Sequence, residues 1–247
     1  VLGLPDGIRG CLFDLDGVLT KTAKVHAAAW KRTFDSFLLA RSRATDTPFV
    51  PFDPVRDYDE YVDGKPREEG TRSFLAARKI DLPEGDPDDP ADAQTIRGLS
   101  NNKNQILLQL VRAEGVEAYA GSVRYVQAVR DRGLRRAVVS SSANCRDVLA
   151  AAHIEDLFEV RIDGIVAERD HLRGKPAPDT FLAGASALGL EPSAAAVFED
   201  ALAGVAAGQA GRFGYVVGVD RVGQADALRA HGADIVVSDL AELLAHP

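Results

Sequence analysis

Cysteines, surplus cationic charge and long apolar runs are all scarce or missing from this chain of 247 residues. Its two cysteines, Cys11 and Cys145, fall in or beside predicted buried strands, which argues against a disulfide framework and fits a reducing compartment. No apolar run is long enough to span a bilayer. The N-terminal stretch lacks the basic, apolar and small-residue order of a signal peptide. Lys and Arg number 29 against 37 Asp and Glu, a formal charge of −8. That balance argues against broad electrostatic binding to nucleic acid or anionic membranes. The expectations are a cytoplasmic monomer with neither nucleic acid nor membrane as a partner. An anionic small substrate stays open, because it needs only a few local cations.

What is present is an ordinary globular composition, 46% hydrophobic and 27% charged. The length allows one large core, or a core with a smaller second domain. Short continuous apolar runs recur at CLF (11–13), AVV (137–139), AAVFE (195–199), YVVGV (215–219) and DIVV (234–237). Unbroken rather than alternating apolar residues suit strands covered on both faces. The segments between them are alanine-rich and helical in period, as in RDVLAAA (146–152) and PDTFLAGASALG (178–189). The expected class is α/β, a doubly wound parallel sheet of Rossmann-like form. Residues 24–107 break the alternation, with helical stretches such as VHAAAWKRTFDSFLLA, REEGTRSFLAARK and NNKNQILLQLVRAEG joined by polar loops. They read as an inserted helical domain, leaving 1–23 and 108–247 as the α/β core.

Polar groups gather where the apolar runs end. Asp14 and Asp16 follow the first run in CLFDLDGVLTKT, and side-chain alternation lets both project near the carboxyl end of that strand. Open α/β sheets bind ligands at this edge. Three further stretches arrive there: SSSAN (140–144), GKPAPD (174–179) and ED (199–200). Singly they would be a helix N-cap, a surface turn and a solvated turn; their order after successive strands gives them weight. Carboxylates crowded at a strand end repel one another and lose solvation, and a hard cation such as Mg²⁺ would offset both.

These motifs, FDLDGVLT, VVSSSAN, GKPAPD and FEDALAG, resemble the four motifs of the haloacid dehalogenase superfamily, in particular its β-phosphoglucomutase-like branch. The resemblance covers almost the whole chain. It implies a core with an inserted helical cap, and it implies roles for single positions. Asp14 would be the nucleophile that forms an aspartyl-phosphate, and Asp16 the general acid/base. Ser140 and Lys175 would hold the transferring phosphoryl group. The Mg²⁺ site would draw on Asp14, the Asp16 carbonyl, Glu199 and Asp200. An aspartate at position 16 separates this chain from true dehalogenases, which lack the second carboxylate. Its ordinary pKa of about 3.9 must rise in a closed site for it to carry a proton near neutrality.

The resemblance also implies a phosphorylated sugar as substrate, with β-phosphoglucomutase activity passing through a bisphosphate; the alternative is a phosphatase acting on a small sugar phosphate. In YVDGKPRE, Gly64, Lys65 and Arg67 would contact the non-reacting phosphate, where a guanidinium suits bidentate binding. Lys103 resembles another cap cation. Ser142, Ala143 and Asn144 would border the substrate. His26 would position the catalytic aspartate, next to Thr22 at the core–cap junction. Trp30, one helical turn beyond His26, reads as packing or a junction contact more than chemistry. Two positions depart from the pattern. Lys21 stands where the family usually has an aspartate able to cap the first cap helix, and Thr22 is the expected substitute cap. Ala143 stands where mutases often carry a lysine.

Overall fold

The computed structural model describes residues 2–245. Six parallel strands form one sheet: β1 (Gly10–Phe13), β2 (Arg135–Val139), β3 (Val160–Ile162), β4 (Ala195–Glu199), β5 (Tyr215–Val219) and β6 (Ile235–Val237), in the order β3-β2-β1-β4-β5-β6. Every residue of β1 and β4 is buried, the consequence of helices on both faces. Successive side chains of β1 then divide between two cores. Cys11 and Phe13 join a cluster with Tyr125, Val129, Phe198 and Val217, where Phe13 stacks on Phe198 at 4.5 Å between ring centroids. Leu12 joins the other, with Val139, Phe181, Val197 and Val205.

The chain also forms helices α1 (Ala23–Thr45), α2 (Arg67–Ala77), α3 (Ile96–Glu114), α4 (Ala120–Asp131), α5 (Cys145–Ala151), α6 (Gly164–Arg169), α7 (Asp179–Ala187), α8 (Leu202–Ala210), α9 (Ala225–Ala230) and α10 (Glu242–Ala245). It divides into two compact units. One contains the sheet and is built from the chain up to Lys21, from Gly64–Pro66, and from Val116 onward; the other is Thr22–Asp63 with Arg67–Gly115. The second unit is α1, α2, α3 and their loops around an aromatic core of Trp30, Phe34, Phe52 and Phe74, with Trp30 stacked on Phe34.

Strand order reverses about β1. From β1 the chain goes to β2 and β3 on one side, then crosses to β4 on the other. The switch point is therefore the pair β1–β4, registered Phe13 to Phe198. Its carboxyl edge is where such sheets hold ligands, because adjacent loops leave it in opposite directions.

The two linkers to the inserted unit lie side by side within the sheet-containing unit. Thr20 pairs antiparallel with Ala118, Lys21 N–H donates to Glu117 O at 2.8 Å, and Tyr119 N–H donates to Leu19 O at 2.9 Å. The Lys21 ammonium pairs with the Glu117 carboxylate. Thr22 does not take over as the expected cap: it precedes α1 in helical conformation and its side chain makes no capping hydrogen bond. Lys21 thus ties one linker to the other.

Candidate active site

The switch point brings Asp14, Lys175, Glu199 and Asp200 together. Asp14 is the first residue past β1, its N–H held by Phe198 O at 2.9 Å, so it continues the strand beside Glu199, the last residue of β4. Lys175, carried by the loop between α6 and α7, is fully buried and reaches the same point. Its ammonium donates to Asp14 Oδ1 at 2.5 Å, to Glu199 Oε1 at 2.7 Å and to Val139 O at 3.1 Å, which uses all three of its protons. Glu199 Oε2 accepts from Ala201 N–H at 2.9 Å, so both Glu199 oxygens are engaged.

Burial pushes the Asp14 carboxyl well above the usual carboxylate range. The Lys175 charge opposes that rise, while Glu199 and Asp16 add to it. Burial works against the Lys175 ammonium as well, but the Asp14 and Glu199 carboxylates outweigh it and keep the lysine protonated. One ammonium thus faces several carboxylates. Asp14, Glu199 and Asp200 each offer an oxygen within 4.8 Å of the others, and all three residues are buried. An all-oxygen, charge-excess set of this kind fits a hard divalent cation.

The loop after Asp14 is shaped around that cluster. Half-buried Asp16 pairs with Thr20, Leu19 and Thr20 donate their N–H groups to Leu15 O, and Gly17 N–H donates to Thr20 O. Gly17 has φ +86°, and a Cβ there would overlap the Asp200 carboxylate. Both conditions require glycine.

The SSSAN stretch folds back on itself after β2. Ser140 Oγ accepts from Ser142 N–H at 3.1 Å, and Ser142 Oγ accepts from Asn144 N–H at 3.1 Å. Asn144 precedes α5 without capping it through its side chain, and Ala143 is exposed. Ser141 Oγ donates to Gly64 O at 2.8 Å, within the sheet-containing unit that also includes half-buried Lys65.

The remaining candidates lie in the inserted unit. Lys103 is buried, its ammonium 3.0 Å from His26 Nδ1 and 5.0 Å from the Trp30 ring centre. Trp30 belongs to the aromatic core. Arg67 opens α2 with its guanidinium on Glu68 at 3.1 Å. Thr22 is buried next to α1. Both thiols, Cys11 and Cys145, are pushed up by burial, which leaves neither as a nucleophile near neutrality.

Sequence motifs did not lead to Arg221, Gln224 or Ser122, which attach to the same loops from behind. Arg221 Nε donates to Gly17 O at 2.8 Å, Ser122 Oγ to Val18 O at 2.6 Å and Gln224 Nε2 to Asp200 O at 3.0 Å. No spacing rule links residue 221 to residue 17.

A family model described as haloacid dehalogenase-like hydrolase matches residues 8–212. The chain is 57% identical to a protein of Mycobacterium bovis named beta-phosphoglucomutase, over 99% of this chain and 94% of that one. It is 31% identical to the Bacillus subtilis protein of the same name, over 96% of this chain and 92% of that one. A crystal structure of a hydrolase from Pseudomonas syringae superposes with a TM-score of 0.76 at 22% identity, covering 96% of this chain and 97% of that one. With the acidic cluster at the switch point and near full-length identity to such relatives, the chain belongs to the haloacid dehalogenase-like hydrolases, in their β-phosphoglucomutase-like family.

Proposed function

We propose that this protein is a β-phosphoglucomutase, interconverting β-glucose 1-phosphate and glucose 6-phosphate through a bisphosphate. The observation that carries the reading is the buried Asp14–Lys175–Glu199 cluster, with Asp16 two residues from the nucleophile candidate, in a chain 57% identical to a protein bearing that name.

Asp14, aligned by its backbone bond to β4, attacks the phosphorus of the bisphosphate through a carboxylate oxygen. The new O–P bond forms as the bond from phosphorus to the sugar oxygen breaks, and Asp16 delivers a proton to that oxygen. In the return direction Asp16 takes the proton from the hydroxyl at the sugar's other end, and that oxygen bonds the phosphorus as the bond from phosphorus to the Asp14 oxygen breaks, which frees the carboxylate. Lys175 lies against the oxygen of Asp14, placed to offset charge on the phosphoryl group. Ser140 holds the loop beside it. Asp14, Glu199, Asp200 and the Asp16 carbonyl would hold Mg²⁺, which when bound neutralises phosphoryl oxygens. Arg67, Lys65 and Lys103 are the candidates for the non-reacting phosphate and Asn144 for the sugar; to bind an anion, the Arg67 guanidinium would exchange Glu68 for it.

Phosphorus NMR of the enzyme with Mg²⁺, β-glucose 1-phosphate and a trace of β-glucose 1,6-bisphosphate should show glucose 6-phosphate and little inorganic phosphate. Asp14→Asn should abolish turnover and leave the protein unlabelled by a phosphoryl donor. Stoichiometric inorganic phosphate without acceleration by the bisphosphate would replace the mutase with a phosphatase.

A further inference from the structure

The loop between β5 and α9 carries no motif, yet it holds the backbone both of the turn that follows Asp14 and of Asp200. Asp220 organises it: Oδ1 accepts from the N–H groups of Val222 (3.2 Å), Gly223 (2.7 Å) and Gln224 (2.9 Å), while its own N–H donates to Val237 O (2.8 Å). Such an aspartate-closed turn is stiff. From it Gln224 reaches the Asp200 carbonyl and Arg221 reaches the Gly17 carbonyl.

Arg221 makes further connections. Its guanidinium lies over the Tyr119 ring, 3.6 Å from the centroid, and Nη1 donates to Ser238 O at 2.7 Å. Nη2 lies 3.4 Å from Val18 O. Asp239 is 3.7 Å away, and the arginine side chain is only 14% exposed. Tyr119 is in turn fixed to Leu19 through its backbone N–H. One planar group therefore bridges the loop that follows Asp14, the returning linker and the exit of β6. A planar fork can do this; a point charge cannot, since the bonds depend on direction.

We propose that Arg221 is a positioning residue for phosphoryl transfer: through the Gly17 and Val18 carbonyls it fixes the 17–18 and 18–19 peptide planes, and with them the turn that follows Asp14, while Gln224 braces the backbone of Asp200. Its hydrogen bonds to this loop go to backbone carbonyls. Its effect is on the in-line alignment of Asp14 and Asp16, and so on the chemical step rather than on substrate binding. The kinetic part rests on the mutase reading above.

The test is Arg221→Ala and Arg221→Lys, assayed with β-glucose 1-phosphate, bisphosphate and Mg²⁺, together with amide hydrogen exchange in the absence of substrate. Arg221→Ala should lower kcat about 10–100-fold, the range for residues that orient active-site groups from behind, with KM nearly unchanged. Added guanidinium should restore part of the rate, and Arg221→Lys should recover little of it. Exchange should accelerate in residues 15–20 and 118–122 and stay as before in β2 and β3. A kcat within about twofold of the parent would overturn the proposal. So would faster exchange throughout the sheet in both variants, which would make Arg221 a general stabiliser. A parent enzyme inactive on sugar phosphates would overturn the functional reading instead, and the exchange pattern would still decide whether Arg221 holds this loop.

Discussion

Gly17 packs against Asp200 so closely that a methyl group on the glycine would overlap the aspartate carboxylate. The contact joins the turn after β1 to the end of β4 across the switch point, and it leaves Asp200 little room to move away from Asp14. The positive φ of Gly17 points to the same requirement.

Gly17→Ala should therefore strain the loop and displace Asp200 together. A non-glycine residue held in such a backbone region costs about 1–3 kcal/mol. A misplaced group at a reacting centre can cost on the order of 10²-fold in rate. Thermal unfolding and turnover measured on one preparation check both. An alanine variant with parental stability and rate would mean the loop relaxes freely.

Lys175→Met keeps the stem and removes the ammonium between Asp14 and Glu199. Leaving buried carboxylates without their partner should cost about 3–5 kcal/mol. Because Asp14, Glu199 and Asp200 can share a cation, added Mg²⁺ should recover part of the lost melting temperature, and chelator should remove that gain. Calorimetry with and without Mg²⁺ reads both, and no response to the ion in variant or parent would count against a metal site here.

Lys21→Asp should weaken rather than strengthen the fold, because it sets a carboxylate against Glu117 where an ammonium now pairs with it. Both side chains are largely exposed, so the change should stay within about 1 kcal/mol. Pairing it with Glu117→Lys should return most of the loss in a double-mutant cycle. A gain in stability from Lys21→Asp alone would restore helix capping as the role of this position.

Asp220 predicts an acid-sensitive turn. Burial pushes its carboxyl up, but the N–H groups of Gln224, Gly223 and Val222 outweigh that and hold its pKa below the ordinary value. A lowered folded-state pKa stabilises the protein above the unfolded value of about 3.9, and the benefit is lost as pH falls through the folded one. The melting-temperature difference between parent and Asp220→Asn should thus be flat near neutrality and shrink in acid. A difference that grows on acidification would contradict the assignment.

The sheet was legible where strands are unbroken apolar runs: CLF, AVV, AAVFE and YVVGV all lie in strands, and DIVV does from Ile235 on, with Asp234 just before β6. β3 was not read, since three residues with Arg161 in the middle carry neither an apolar run nor a period. Asp14, Lys175, Glu199 and Asp200 were readable as a group because each follows a strand or sits in a motif of ordered spacing. The hold of Lys175 on both carboxylates was not, as it depends on how a loop folds under the sheet edge. Arg221 and Gln224 were invisible for a different reason: they act on backbone carbonyls, which every residue has, so their partners leave no trace in the sequence. Thr22 was misread as a cap because residue type alone does not fix the backbone conformation that capping needs.

The side-by-side linkers bear on how the chain is made. β1 precedes the other five strands of this sheet in chain order, yet its partners β2 and β4 both follow the insertion. Until then it is an unpaired apolar segment, the kind that aggregates. The insertion has an aromatic core of its own and can collapse while the rest is still emerging. With Thr20 against Ala118 and Lys21 against Glu117, the loop that must close before β1 meets β2 is reduced to a short neck. Closure entropy grows with the number of free residues, so early collapse of the insertion lowers the barrier to assembling the sheet. Substitutions in the Trp30–Phe34–Phe74 core should then slow the appearance of the α/β sheet, although none of these residues belongs to it.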